Sequence, residues 1–135
     1  MSAISFLINP PVSARAVSDL REAVGWERLE TEQANELTGF WATIGGFDEQ
    51  ETLIAWCALL SDGKYHGILL DVLVHPHWQK QGIGRALVRQ AVTHCHEQHI
   101  RIIHVDFLPE RSAFYERCGF RVGLGGIYEG LNRKK

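Results

Sequence analysis

A strand that leads through a glycine-containing loop directly into a helix is the feature that most constrains this chain. Residues 65–75 are almost continuously apolar, and Gly82 begins a long amphipathic helix. The first turn of a helix carries free N–H groups and the positive end of the helix dipole, so this junction favours an anion. Gly82 and Gly84 would let an anion approach the backbone closely, and Lys80 and Arg85 would add positive charge.

The surrounding pattern predicts an α/β (α+β) chain with a mixed sheet and helices packed on it. Before the loop we expect an edge strand at 4–8, a helix at 13–24, a weaker helix from Thr31 to Gly39 with Ala34 and Leu37 inward, and strands at 40–45, 52–60 and 65–75. After the long helix we expect a strand at 100–107, a helix at 109–117 and a last strand or strand pair at 120–122 and 126–131. Asp62 and Gly63 predict a hairpin turn, and the apolar run 65–75 predicts a central strand covered on both faces.

Composition limits the classes of function. The 135 residues fit one domain, 1–135, and 45% hydrophobic residues supply a core. The net charge of −2 and a single basic run at 133–135, interpreted as a solvated tail, argue against nucleic-acid binding. No apolar run approaches the roughly 20 residues of a membrane span, and the first residues lack the features of a signal peptide.

Cysteine and histidine spacing argues against a disulfide framework and a metal site. Cys57, Cys95 and Cys118 are odd in number and form no Cys-x-x-Cys pair, so we interpret them as small core residues of a cytoplasmic protein. Two His-x-His pairs, at 75–77 and 94–96, lack evident further ligands. We therefore expect no metal.

Three interpretations of the glycine loop compete before any family is considered. A dinucleotide fingerprint would need a third glycine where Leu87 stands. The phosphate loop ending in Gly-Lys-Ser/Thr is absent. A purely structural turn, in which Gly82 and Gly84 only ease packing, stays open.

Two motifs in this chain resemble the GNAT (Gcn5-related) N-acetyltransferase superfamily. Its acetyl-CoA segment reads Gln/Arg-x-x-Gly-x-Gly/Ala after a strand that ends in Val-x-Pro, and this chain fills it with Gln79, Gly82 and Gly84 after Val74-His75-Pro76. Downstream, residues 114–120 resemble the family's Phe/Leu-Tyr-Glu-Lys-x-Gly-Phe segment. Two motifs in the right order are more specific than either alone. The resemblance covers about Thr52 to Val122 and suggests a short, single-domain member.

The resemblance implies a GNAT-like central mixed, mostly antiparallel sheet with splayed central strands and helices on both faces. The pantetheine arm of acetyl-CoA, the co-substrate, would enter the gap and bind the backbone of Val72, Leu73 and Val74. The pyrophosphate would bind Gln79, Lys80, Gln81, Gly82, Ile83, Gly84 and Arg85, with Phe114 also in the cofactor site. Many members carry Asn where Leu108 stands here, which removes one expected contact.

The resemblance also implies that an acceptor amine attacks the thioester directly. Tyr115 would protonate the leaving thiolate, since tyrosine with its ordinary pKa of about 10 keeps its proton at neutral pH. The competing interpretation of Tyr115 is an aromatic packed on the sheet. The candidates for a general base are Asp71, His66, His104 and Asp106, with Asp71 taken as the catalytic assignment.

The acceptor is predicted only as a class, a primary amine of a small molecule, an arylalkylamine included, or a protein lysine. Trp26, Phe40 and Trp41 are candidates for an aromatic lining or for ordinary core, and acidic side chains for attracting a cation are Glu22, Glu27 and Glu30. A homodimer is compatible with the family. The alternatives kept open are a non-catalytic acyl-CoA-binding or sensing module and an unrelated α/β binding domain.

Overall fold

The computed structural model describes residues 3–130, so the predicted basic tail lies outside the described residues. The described chain forms two compact units, one that ends at Val105 and one that begins at Asp106. The first contains β1 Ser5–Ile8, α1 Ala14–Ala23, α2 Glu30–Glu36, β2 Ala42–Phe47, β3 Leu53–Ser61, β4 His66–Val74, α3 Ile83–Glu97 and β5 Ile102–Val105. The second contains a 3₁₀ turn, Pro109–Arg111, and α4 Ser112–Arg117. A single domain over 1–135 stays a prediction.

The five strands form one mixed sheet in the order β1-β2-β3-β4-β5. Each neighbouring pair from β1 to β4 is antiparallel, whereas β4 and β5 are parallel. Parallel neighbours need a long crossover connection, and α3 supplies it. The predicted mixed, mostly antiparallel sheet is thereby confirmed.

Helices α1 and α3 cover opposite faces of this sheet. Trp56 of β3 is buried with Val17 and Leu20 of α1. Three residues further along β3, Leu59 pairs with Leu69, and this side of the sheet faces α3. The side chains that α3 buries are Ile83, Leu87, Val88, Ala91 and Cys95. Cys57 and Cys95 are both fully buried, in agreement with their interpretation as small core residues, and Cys118 is half-buried.

Helix α1 forms where it is predicted, whereas α2 turns another face inward than predicted. Ser13 caps α1 by accepting a hydrogen bond from the Ala16 N–H at 3.0 Å, and Gly25 follows its end at φ +88°. In α2 the inward prediction for Ala34 is wrong, because Ala34 is exposed and Gln33 is buried. Gln33 and the half-buried Leu37 are four residues apart, so they define the inner face of this short helix.

The prediction that the strand at 65–75 is covered on both faces is wrong. Burial alternates at its start, with Gly67 and Leu69 buried and His66 and Ile68 exposed. The face of β4 opposite α3 is therefore open to solvent at His66 and Ile68. Strand β2 also runs two residues further than predicted, and Gly46 pairs with Ala55 instead of starting the turn.

The prediction of a last strand or strand pair is also wrong for the described residues. No strand is formed at 120–122 or 126–130, and the large apolar side chains there are exposed, Leu124 and Tyr128 included. Glycines at 123, 125, 126 and 130 lower the strand propensity of this segment, and no neighbouring strand pairs with it. The final predicted position, Leu131, lies outside the described part. No helix among the described residues has the length and apolarity to cross a membrane.

The predicted hairpin between β3 and β4 is confirmed and is held by Asp62. Its carboxylate accepts hydrogen bonds from the N–H groups of Tyr65 and Lys64, both at 2.9 Å, and of His66 at 3.1 Å. These donors, Tyr65 first, lower the pKa of Asp62 to about 2. Gly63 completes the turn at φ +73°.

We expect Asp62→Asn to lower the free energy of unfolding at pH 7, and we expect the difference from the wild type to shrink as the pH falls from about 4 through about 2. Because an unfolded aspartate has a pKa of about 3.9, the stabilisation by the Asp62 carboxylate is fully present above that pH. It is lost as the pH falls through the folded pKa of about 2. Urea unfolding at several pH values measures the difference. Glu97→Gln, at an exposed carboxylate on α3, serves as the control, and a difference that stays constant with pH would contradict the prediction.

Candidate functional site

The loop after β4 is held in shape by its own hydrogen bonds. It starts with a 3₁₀ turn, Pro76–Trp78, in which the Trp78 N–H donates to the His75 carbonyl at 2.8 Å. The Gln79 side-chain amide donates to the Val74 carbonyl at 2.9 Å, back at the end of β4. These contacts fix the path along which the chain leaves the sheet and enters α3.

The loop reaches α3 through two residues with positive φ. Lys80 has φ +62°, and Gly82, the N-cap of α3, has φ +80°. Nothing lies within 4 Å of a Cβ added at Gly82, so the space beside the backbone there is open. The first intrahelical bond runs from the Ala86 N–H to the Gly82 carbonyl at 3.0 Å. The three preceding N–H groups, of residues 83–85, therefore have no acceptor within the helix.

Two positively charged residues belong to the same segment as these N–H groups. Lys80 and Arg85 are exposed, and none of the ion pairs among the described residues uses either of them. Ile83 is buried and anchors the turn in the core, so only its backbone faces the opening. The structure thus brings the predicted residues 79–85 together in one loop and one helical turn, an arrangement that suits a multiply charged anion.

Strand β4 has an edge that β5 does not cover. The parallel ladder runs only from His66↔Ile102 to Leu69↔Val105, whereas β3 continues to pair with β4 as far as Val74. The two strands therefore part after Leu69. The edge that follows carries Val72, Leu73 and Val74, and it leads directly into the loop.

A β-bulge at Asp71 marks the start of this edge. Ala58 pairs with Leu70 and Trp56 pairs with Leu73, so two residues of β4, at 71 and 72, oppose one residue of β3. Asp71 has φ +54°, a left-handed conformation that costs a residue other than glycine on the order of 1 kcal/mol. The bulge turns the strand where its second partner ends.

The Asp71 carboxylate lies beside Arg21 of α1. The Arg21 Nη1 atom is 3.9 Å from Asp71 Oδ2, with the two side chains 11% and 26% exposed. The Arg21 Nε–H donates to the Glu27 carbonyl at 3.0 Å, and the guanidinium lies 5.1 Å from the centre of the Trp26 ring. Arg21 is not among the predicted site residues, because the sequence marks it only as a charged residue one helical turn after Val17.

In the second unit, Tyr115 is packed among aromatic rings. It is 7% exposed and stacks on Phe107 with ring centres 4.6 Å apart. Phe114 and Phe120 meet it edge-on at 4.9 Å and 5.7 Å. Phe114 therefore contacts Tyr115, and these neighbours limit the orientations of the phenol ring.

The two histidine candidates for the base lie apart from the free edge of β4. His66 and His104 face each other on the exposed sheet surface, with His66 Nδ1 and His104 Nε2 3.4 Å apart. His66 is at the paired start of β4, and Asp106 begins the second unit. Of the candidates in the first unit, Asp71 alone adjoins the free edge. Among the described residues, no group of three or more His, Cys, Asp or Glu side chains is placed to hold a metal ion.

The aromatic and acidic acceptor candidates do not form one pocket. Trp26 is 43% exposed beside Arg21, whereas Trp41 lies 5.4 Å from the His94 ring of α3, on the opposite side of the sheet. Phe40 is half-buried. Arg28 pairs with Glu22 at 3.4 Å and Glu30 at 2.8 Å, and also with Asp19, so these carboxylates are partly neutralised.

Comparisons of this chain with protein families and with known sequences agree on one family. The family model described as an acetyltransferase (GNAT) domain matches residues 31–122. An N-acetyltransferase named ycf52 from Gracilaria tenuistipitata var. liui is 27% identical over 123 residues, which cover 88% of this chain and 68% of the relative.

Solved structures share the fold. The GNAT-family protein SP0256 from Streptococcus pneumoniae TIGR4 matches with a TM-score of 0.78 and 22% identity, over 96% of this chain and 100% of that one. Aminoglycoside N-acetyltransferase AAC(6')-Iy in complex with CoA matches with a TM-score of 0.76 and 12% identity, over 98% and 97%. At these identities the likeness concerns the fold.

We expect Gly82→Glu to weaken CoA binding at least tenfold, the effect of about 1.4 kcal/mol. The substitution places a carboxylate in the open space beside the free N–H groups of α3. Gly63→Glu is a matched control, since Gly63 has φ +73° and equally open surroundings in the hairpin between β3 and β4. Both variants carry the same backbone strain, so calorimetric titration with CoA separates strain from loss of the anion site. Equal affinities of the two variants would contradict the assignment of the loop.

Proposed function

The chain belongs to the GNAT acetyltransferase family and is an acetyl-CoA-dependent acetyltransferase, and from this premise we propose how its residues divide the work. The observation that carries the proposal is the continuity of two features. The free edge of β4 leads through the loop at 75–82 into a helix N-terminus whose first N–H groups have no acceptor within the helix, with two exposed cations in the same segment. A ligand with an amide-containing arm and a pyrophosphate fits both features at once.

We assign the pyrophosphate of acetyl-CoA to the backbone N–H groups of Ile83, Gly84 and Arg85. Lys80 and the Arg85 side chain would add charge-assisted hydrogen bonds to the same phosphates. The side-chain amides of Gln79 and Gln81 already donate to the carbonyls of Val74 and His77, at 2.9 Å and 3.2 Å. We therefore propose that these two glutamines shape the loop and contribute backbone contacts.

We assign the pantetheine arm to the edge formed by Val72, Leu73 and Val74. An extended ligand that carries amides can add to an open strand edge through main-chain hydrogen bonds, in the manner of β-augmentation. The parting of β4 from β5 supports this assignment because it leaves the edge uncovered at that point. The thioester would then lie near the Asp71 bulge.

The bound acetyl-CoA supplies a thioester carbon that the acceptor nitrogen attacks, with cleavage of the carbon–sulfur bond. We propose that the Tyr115 hydroxyl donates a proton to the sulfur and recovers it from solvent. Its ring is held by Phe107, Phe114 and Phe120, which favours a fixed direction for the phenol. We propose that Asp71, directly or through water, takes the proton that the amine loses.

The acceptor we propose is a primary amine, of a small molecule or of a protein lysine. Support for the small-molecule class comes from the aminoglycoside N-acetyltransferase with the same fold and from the exposed indole of Trp26. An arylalkylamine would pack its ring on an indole of this kind. Cytoplasmic location, a homodimer and the absence of a metal stay predictions.

We expect acetyl-CoA to raise the unfolding midpoint, because a ligand that binds only the folded protein stabilises it by mass action. At a hundredfold excess over Kd the gain is about 2.7 kcal/mol. NAD and ATP at equal concentrations are the controls. A shift with ATP or NAD equal to that with acetyl-CoA would contradict a dedicated CoA site.

We expect Tyr115→Phe to lower kcat by about a hundredfold, the lower end of the usual contribution of a general acid. Acetyl-CoA affinity should stay within about threefold, a difference of less than 1 kcal/mol. Release of free CoA thiol, measured over a panel of amines, gives kcat. Tyr128→Phe is the matched control, since Tyr128 is 88% exposed. Tight acetyl-CoA binding by the wild type without turnover on any amine would instead favour the sensing module.

A further inference from the structure

The Asp71 bulge has its charged neighbour on another element of the first unit. Arg21 of α1 reaches the sheet and comes within 3.9 Å of the Asp71 carboxylate. Helix α1 itself is anchored by Val17 and Leu20, which are buried with Trp56 and Leu73, the cross-strand pair next to the bulge. The link from Arg21 to Asp71 therefore connects a firmly packed helix to the irregular point of β4.

The bulge needs such a connection for two reasons. Asp71 occupies a left-handed conformation at φ +54°, which favours glycine. Beyond Leu69 the strand has lost its β5 partner, so only the ladder with β3 holds its register. A regular ladder without the bulge would turn every later side chain of β4 to the other face and shift the free edge.

Arg21 is arranged to act as a fixed group. Its side chain is 11% exposed, its Nε–H is bonded to the Glu27 carbonyl at 3.0 Å, and its guanidinium lies over Trp26 at 5.1 Å. These contacts restrict its rotamers before any ligand binds. A restricted, poorly hydrated guanidinium attracts a carboxylate more effectively than a mobile surface lysine.

We propose that Arg21 is a positioning residue that holds Asp71 at the bulge and thereby keeps the edge at Val72–Val74 in the shape that receives acyl-CoA. The inference deepens the proposed function and rests on it. Arg21 touches neither acetyl-CoA nor the reacting atoms in this role. It acts through Asp71, and its removal takes away a charged contact that helps to offset the conformational strain at position 71.

The test uses CoA binding by titration calorimetry, so that turnover plays no part. Arg21→Met should raise the Kd for CoA about tenfold, and Arg21→Lys should fall between this variant and the wild type. Arg15→Met removes an exposed cation from the same helix and should leave the Kd unchanged. In steady-state kinetics we expect Arg21→Met to raise the KM for acetyl-CoA and to leave the KM for the amine unaltered, whereas Arg15→Met should change neither.

The decisive variant is the double substitution Arg21→Met with Asp71→Gly. Glycine adopts a positive φ without strain, so the bulge no longer needs Arg21 and the Kd should return to within about threefold of the wild type. Circular dichroism confirms that each variant is folded, and Arg21→Lys serves if Arg21→Met is not. Weak binding by the double variant would overturn the inference, as would wild-type affinity in Arg21→Met. Absence of CoA binding by the wild type would instead remove the proposed function.

Discussion

The unequal pairing of β4 governs the rest of this structure. Every backbone N–H and C=O group needs a partner, and a central strand normally finds partners on both sides. Here β3 follows β4 over nearly its full length, whereas β5 leaves it after four pairs. The remaining half of β4 is held in place from one side only while its other edge stays available. Packing of Trp56 and Leu73 under α1 supplies the rigidity that the missing ladder would have given.

Helix α3, which follows β4, adds an electrostatic feature to the open edge of that strand. Because Gln79 ties the loop back to Val74, the end of the strand and the start of α3 are spatially linked. Ile83 anchors the first turn in the core, and nothing lies within 4 Å of a Cβ added at Gly82, so the space beside the backbone at the start of this turn is open. Polar edge and positive helix end therefore form one continuous surface, and a single extended ligand can use both.

Most of this arrangement was predictable, because local chemistry determines it. Asp62 with Gly63 marks the hairpin turn and Gly82 marks the start of the long helix through their own conformational preferences, and both act as predicted. The features that the sequence pattern could not predict depend on tertiary contacts. The burial of Gln33 in place of Ala34, the exposed surface of β4 and the absence of strands at 120–122 and 126–130 all depend on which neighbour is present. The Arg21 to Asp71 contact joins residues fifty positions apart, and no local spacing could indicate it.

The anion site in the loop consists largely of main-chain groups, and this has a consequence for how such proteins diverge. Backbone N–H groups are the same in every residue except proline, so drift in the side chains leaves them intact as long as the turn keeps its conformation. Selection then acts on few positions, chiefly those such as Gly82 where the backbone demands an unusual geometry. Distant descendants can lose nearly all recognisable sequence and still inherit the site, while the surfaces around it change freely to suit new acceptors.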